Sequence, residues 1–214
     1  MLFRKFSFFS ACILCAVFLL AAHSVAATLE EVISGLEKRL SETASISAEF
    51  AQEAVSSGIG NKVMSQGVVY IKKPGRMKWV YAEPHKDILA SNGKLVWFYQ
   101  EDLNQVMEMP ASRMSSAGRD FLLGAGSIRK DFSIKLTGDD EKSWSLELLP
   151  KEADTGLKRL FVKAGKEDFV ITSITIEDTL GNRTVVEYRN IKVNPAIKDS
   201  FFDFKPPKGA KVVK

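Results

Sequence analysis

Cysteine and histidine are nearly missing from this 214-residue chain. Both cysteines, Cys12 and Cys15, fall inside an apolar N-terminal run, and His23 closes that run, so His85 is the one histidine beyond it. A chain without thiols past residue 15 has no disulfide, thiolate nucleophile or sulfur ligand to offer there. One histidine cannot build a zinc site. A Ser-His-Asp arrangement would have to use His85, which follows Pro84 in a loop, and no Gly-x-Ser-x-Gly elbow exists anywhere in the chain. Gly58-Ile59-Gly60 and Gly124-Ala125-Gly126 lack the Lys-Ser/Thr that completes a phosphate loop. Asp139-Asp140-Glu141 lacks the spaced ligands of a calcium loop and reads as an acidic hairpin tip. Neither metal nor cofactor is expected. A charge of one sign is also lacking, with 30 Lys and Arg against 26 Asp and Glu, interspersed rather than gathered in the basic stripe that nucleic acid requires. A two-carboxylate glycosidase stays open at this level, because such a pair need only be close in space, but no pair is singled out.

Residues 1–27 carry a short basic start (Arg4, Lys5), an apolar run from Phe6 to Ala22 and small residues before a plausible cut. That is the form of a secretory signal peptide. Ser24-Val25-Ala26 suits cleavage after Ala26, and Val25-Ala26-Ala27 suits cleavage after Ala27. The run is long enough to compete as a membrane anchor, but the small-residue exit and the helix start directly after it favour cleavage. A lipoprotein signal fits poorly: Cys12 comes too early for a full apolar core, and Cys15 follows Leu14 where a small residue is wanted. Cleavage halves the formal charge of +4, since Arg4 and Lys5 leave. The remainder, 28–214, is the length of one domain.

Thr28-Leu29-Glu30-Glu31 is a capping-box pattern, and Leu29, Val32, Ile33, Leu36 and Leu40 recur at helical spacing through Ser41. From Ser45 the period becomes two. Strands are then expected over 62–72, 77–82, 87–91, 94–99, 105–109, 132–137, 143–149, 157–163, 169–178 and 183–193. Arg119-Asp120-Phe121-Leu122-Leu123-Gly124 interrupts them as a short apolar helix with a glycine stop. About eleven strands with two helical pieces predict a mainly β (α+β) chain. The economical architecture is a single curved antiparallel sheet, an incompletely closed barrel with helices on one face.

Between Val69 and Tyr99 the strands are unusually aromatic, and Pro74-Gly75, Pro84 and Asn92-Gly93 cut them into hairpins. Such a ribbon has more apolar area than one thin core needs. With the usual nucleophiles and metal ligands scarce, the surplus surface points to binding.

The run Tyr70-Ile71-Lys72-Lys73-Pro74-Gly75-Arg76-Met77-Lys78-Trp79-Val80-Tyr81, with Pro84, Leu89, Ser91-Asn92-Gly93-Lys94 and Val96-Trp97-Phe98-Tyr99, closely resembles the LolA family of periplasmic outer-membrane lipoprotein carriers. The leading helix, Phe50-Ala51-Gln52, Phe121-Leu122-Leu123 and Phe204-Lys205-Pro206-Pro207-Lys208-Gly209 extend the likeness over nearly all of 28–214. The resemblance implies an unclosed β-barrel with a helical lid over a hydrophobic cavity, in a periplasmic, monomeric, non-enzymatic chaperone. Its implied partners are acylated lipoproteins, an inner-membrane ABC transporter of the LolCDE type, and a LolB-type outer-membrane acceptor where one is present. The cavity candidates are Phe50, Met77, Trp79, Tyr81, Trp97, Tyr99, Met107, Phe121 and Leu122. Strand alternation turns some of them to the other face, where they would be sealed core.

In the family an arginine precedes the motif's proline and ties the lid to the barrel; this chain has Lys73 there. Lysine keeps the charge but lacks the guanidinium fork, so a weaker or differently made latch is expected, from Lys73 to carbonyls near Leu123 or Gly124. Asn92 replaces the family's aspartate at a turn both residues suit. Three other readings remain: a carrier of another amphiphile such as a glycolipid or fatty acid, a protein-docking interaction domain on the same fold, and an enzyme.

Overall fold

Thr28 starts the first helix as its sequence predicts: its hydroxyl accepts from the Glu31 amide (3.3 Å), while the Thr28 amide donates to the Glu31 carboxylate (2.7 Å). The Thr28 amide, and after it the Thr28 hydroxyl, which donates to the same carboxylate (3.0 Å), hold the Glu31 carboxyl below its ordinary pKa. Helix α1 (Leu29–Glu42) buries Val32, Ile33 and Leu36 on one stripe. The computed structural model describes residues 28–58, 60–113, 128–152 and 156–214. The expected leader (1–27) and the expected Arg119–Gly124 helix lie outside them.

Strands follow in chain order: β1 (Ser45–Val55), β2 (Lys62–Lys72), β3 (Arg76–Glu83), β4 (Ile88–Asn92), β5 (Leu95–Gln100) and β6 (Gln105–Pro110). After one turn of helix, α2 (Ile128–Asp131), come β7 (Phe132–Asp139), β8 (Ser143–Pro150), β9 (Leu157–Gly165), β10 (Ile171–Asp178), β11 (Arg183–Val193) and β12 (Lys211–Val213). The described residues form one sheet in the order β12-β6-β5-β4-β3-β2-β1-β11-β10-β9-β8-β7. It is a meander made continuous by β1, which pairs antiparallel with both β2 and β11. The two outermost strands, β7 and β12, do not pair with each other, so the barrel stays open. Gly75 (φ 69°) and Gly93 (φ 90°) take the left-handed conformation in the Pro-Gly and Asn-Gly turns, which is why glycine stands there.

Among the strands, β12 and β10 depart from expectation in ways that bear on the site. β12 is three residues long, follows a Pro-Pro stretch and pairs parallel to β6, so it carries neither alternation nor a hairpin signal. β10 begins at Ile171 rather than at 169, because Phe169 has φ 54° in the preceding turn, where its amide donates to the Gly165 carbonyl. Its ring fills the space a side chain at Gly35 would need: a Cβ there would stand 2.4 Å from the Phe169 ring.

The inner face is covered differently on the two sides of β1. Over β7–β10, Val32 and Leu36 of α1 pack on Phe132, Trp144, Leu146, Leu148, Leu160, Val162 and Ile174. Arg129 of α2 braces the helix, bonding Glu30 (2.6 Å), Glu37 (2.8 Å) and Ser34 (2.8 Å). Around β1–β3 a second cluster holds Ala48, Phe50, Val69, Met77, Trp79 and Val186. A third cluster lies on the outer face of β4–β6, where Ala90, Trp97 and Val106 meet Phe204 and Ala210 of the C-terminal segment.

Candidate functional site

Cross-strand register puts Met77, Trp79 and Tyr81 of β3 on one face with Ile71, Val69 and Gly67 of β2 and with Ser91 and Leu89 of β4. Phe50 of β1 lies opposite Gly67. The Phe50 ring stands edge-on to Trp79 (4.8 Å) and to Tyr81 (5.1 Å), and Trp79 reaches Tyr188 of β11 (6.4 Å). Gly67 makes this grouping possible, since a Cβ there would stand 2.1 Å from the Val80 carbonyl oxygen at a bulge in the β2–β3 pairing.

Two adjoining cavities open on this face. One, of about 80 Å³, is lined by Leu40, Ala48, Val69, Ile71, Ile171 and Ile191 among others, with Lys73 at its border. The other, of about 160 Å³, lies among Met77, Trp79, Tyr81, Leu89, Ile176 and Val186. Ile174 and Tyr188 line both, so these two side chains stand between them. Two larger hollows, about 570 and 540 Å³, have charged walls that include Glu49 and Lys192 in one and Asp140 and Lys163 in the other. They do not suit an apolar ligand.

Polar groups near the wall are few. Tyr81 donates to the Gln52 amide oxygen (3.4 Å), and burial raises its phenol pKa. Burial raises that of Tyr188 much further, with the neighbouring Tyr81 adding to it. Lys73 donates its ammonium to the Leu40 carbonyl in the last turn of α1, and desolvation lowers its pKa. The expected partners Leu123 and Gly124 lie outside the described residues; within them, the helix end that Lys73 reaches belongs to α1. The attraction is the same in kind, a cation at the negative end of a helix dipole. Asn194 fixes the same junction, accepting from the Ala44 amide (2.7 Å) and donating to the Glu42 carbonyl (3.0 Å).

Of the residues singled out from sequence, Phe50, Met77, Trp79 and Tyr81 come together on the inner wall. Trp97 and Tyr99 do not. They pair with Ala90 and Ile88 on the opposite face and pack against Phe204 at 6.4 and 6.0 Å. Alternation is the reason: the β5 residues that share the inner face are Val96 and Phe98. The Trp97 indole N–H is also taken, donating to Glu108 (2.8 Å). Met107 is on the inner face opposite Phe98 and is 38% exposed, beyond either cavity's lining. Phe121 and Leu122 lie outside the described residues. Sequence reading missed Gln52, Leu89, Ile174, Ile176, Val186 and Tyr188; the last four take their place through the pairing of β11 with β1 and β10. Among the described residues no group of three or more His, Cys, Asp or Glu is placed to hold a metal ion. His85 pairs with Asp102 (2.5 Å) in exposed loops, and the Asp140 carboxylate is satisfied by Ser143 and Lys142.

A family profile described as "Outer membrane lipoprotein carrier protein LolA" matches residues 41–205. An outer-membrane lipoprotein carrier protein of Cupriavidus pinatubonensis is 32% identical over 215 residues, covering 99% of each chain. Its counterpart in Ralstonia nicotianae is 30% identical over 190 residues, covering 85% of this chain and 86% of its own. Among solved structures, an uncharacterized conserved protein from Thermus thermophilus superposes with a TM-score of 0.56 at 16% identity, over 86% of this chain and 97% of its own. That likeness concerns the fold alone.

Proposed function

The chain belongs to the LolA family of outer-membrane lipoprotein carrier proteins, and from that premise we propose that its inner wall receives the acyl chains of lipoproteins in transit across the periplasm. One observation carries the reading: Met77, Trp79 and Tyr81 and the aliphatic side chains around them at the centre of the sheet border two cavities. Burying a methylene gains roughly 0.8 kcal/mol, so one sixteen-carbon chain gains on the order of 12 kcal/mol by leaving water. A carrier must supply much of that gain and still release its cargo, which favours an adjustable apolar wall over a deep specific pocket.

The wall must yield during loading, since cavities of about 80 and 160 Å³ fall short of the roughly 300–1,000 Å³ of sites that enclose a drug-sized ligand. The C-terminal turn of α1 is the part of the cover suited to move. Val32 and Leu36 anchor the helix in the core, whereas Leu40 is half-buried and lines the smaller cavity. Lys73 is the latch on that turn. Phe50, Met77, Trp79 and Tyr81 form the wall behind it, with Met107 at its margin.

In this proposal residues 1–27 are a leader, residues 28–214 act as a monomeric, non-enzymatic periplasmic domain, the cargo comes from a LolCDE-type transporter, and a LolB-type acceptor receives it. Among the described residues no helix is long and apolar enough to cross a membrane. The test is a release assay. Spheroplasts making labelled lipoprotein should shed it as a soluble complex only when the purified 28–214 domain is added; lipoprotein that stays with the membrane would overturn the proposal.

A further inference from the structure

Among the described residues Tyr188 is the one polar side chain that lines both apolar cavities, its companion there being Ile174. The ring is half-buried and lines both cavities, and burial pushes its phenol pKa far above the ordinary value. Its neighbours account for the ring: Phe50 pairs with it across β1 and β11, and Trp79 packs at 6.4 Å. They do not account for the hydroxyl. Tyr81 satisfies its own O–H on Gln52, whereas the Tyr188 O–H has no hydrogen-bond partner among the described residues. A phenol donor in apolar surroundings is costly unless something accepts from it, and a phenylalanine would line the same wall without that cost.

We infer that the Tyr188 hydroxyl is a specificity-determining donor, which takes the carbonyl oxygen of an acyl group as the chain lies across the boundary between the cavities. This inference rests on the acyl-carrier reading and deepens it. The wall supplies non-directional affinity for hydrocarbon, and Tyr188 adds one directional contact that fixes how far the chain enters. Phenol remains the donor at any physiological pH, because its ionised form is the one burial disfavours. An ester or amide carbonyl meets the requirement; an ether oxygen is a poorer acceptor, and an alkyl chain offers none.

The test compares two synthetic lipopeptides, a diacylglyceryl-cysteine peptide with ester linkages and its dialkyl ether counterpart, competing for a fluorescent fatty probe on the 28–214 domain. The wild-type protein should bind the ester form about 3- to 10-fold more tightly, the worth of one neutral hydrogen bond. Tyr188→Phe should bring the ratio close to one, chiefly by weakening the ester form. A wild-type ratio of one, or a ratio unchanged in Tyr188→Phe, overturns the inference while leaving the carrier reading intact. Failure of both peptides to bind overturns both. Should Tyr188→Phe not fold, infrared spectroscopy of the ester peptide labelled with carbon-13 at its carbonyls decides on the wild type alone. A stretch moved below its position in hexane supports the contact, and an unmoved stretch removes it.

Discussion

Trp144, Leu146 and Leu148 in β8 and Met77, Trp79 and Tyr81 in β3 are two inner rows with the same spacing, and they have different neighbours. The first row lies under α1, whose Val32 and Leu36 complete a closed core. Among the described residues the second faces the cavities, and the cover over its half of the sheet lies on the other side, where Asp199–Phe202 and residues 203–210 run along the outer face before β12 joins the sheet edge. There Phe201 stands edge-on to Tyr70 (4.8 Å) beneath the Lys78 ammonium (4.5 Å), and Phe204 packs on Trp97 and Tyr99. Two apolar faces with similar composition thus do different work. Where a covering segment sits on the inner face, the side chains become core; where, among the described residues, it sits on the outer face, the inner one borders the cavities proposed to take the acyl chains.

That contrast is most strongly tested at Leu148, which is 0% exposed. Leu148→Ala should cost about 2–5 kcal/mol in urea unfolding, the range for emptying a packed leucine site, while the folded fraction keeps its uptake of a fatty probe. Loss of uptake at full stability would mean that the α1-covered half also holds ligand. A tryptophan pair tests the two faces of the ribbon. Trp97→Ala removes an outer-face side chain packed under Phe204 and leaves Glu108 without its indole donor, so it should cost about 3 kcal/mol and leave probe affinity unchanged. Trp79→Ala enlarges a cavity that already exists, so it should cost less stability and weaken the probe by about tenfold. Reversal of the two results would reverse the assignment of faces.

The strands, their order along the chain and the aromatic ribbon were legible in the sequence because alternation and turn dipeptides are local signals. Which face of each strand looks inward was not. Trp97 and Tyr99 have the composition of a cavity wall, and only the register of β5 against β4 turns them outward. Tyr188 shows the converse: nothing in Val185-Val186-Glu187-Tyr188 separates it from any half-buried strand tyrosine until β1 and β10 place it between two cavities. The Lys73 bond to the Leu40 carbonyl is a long-range fact, 33 residues away in sequence, that no local pattern shows. β12 left no trace, since three residues parallel to β6 make no pattern of their own.

Lys73 belongs to the ligand side of the contrast and should affect motion more than stability. Its bond to the Leu40 carbonyl combines a charge-assisted hydrogen bond with a helix-end interaction, worth about 1 kcal/mol together at a half-exposed site. Lys73→Leu keeps the stem and removes the donor. Hydrogen exchange of the amides over 40–44 should quicken several-fold, and probe uptake should quicken with it. Lys73→Arg, which retains the charge and the donor, should restore slow exchange. Uptake unchanged in Lys73→Leu would mean that the last turn of α1 is not the moving part.

The smallest expected effect concerns the outer cover, through Asp199 at the start of the C-terminal segment. Its carboxylate accepts from Lys72 (2.6 Å) and faces Arg76 (3.1 Å), and the Lys72 hydrogen bond in particular holds its pKa below the ordinary value. A carboxyl depressed in the folded state contributes stability that is complete above its unfolded pKa and is lost as the pH falls through the folded one. Docking of residues 199–213 should therefore be unaffected at neutral pH and loosen only below the usual carboxylate range. The group is largely exposed, and solvent screening keeps the effect small. Asp199→Asn should produce the same loosening at neutral pH, read as faster exchange over 199–213 with no change at Leu148 or in probe affinity. If probe affinity fell as well, the two faces of the ribbon would be coupled, and the outer cover would have to be counted as part of the binding site.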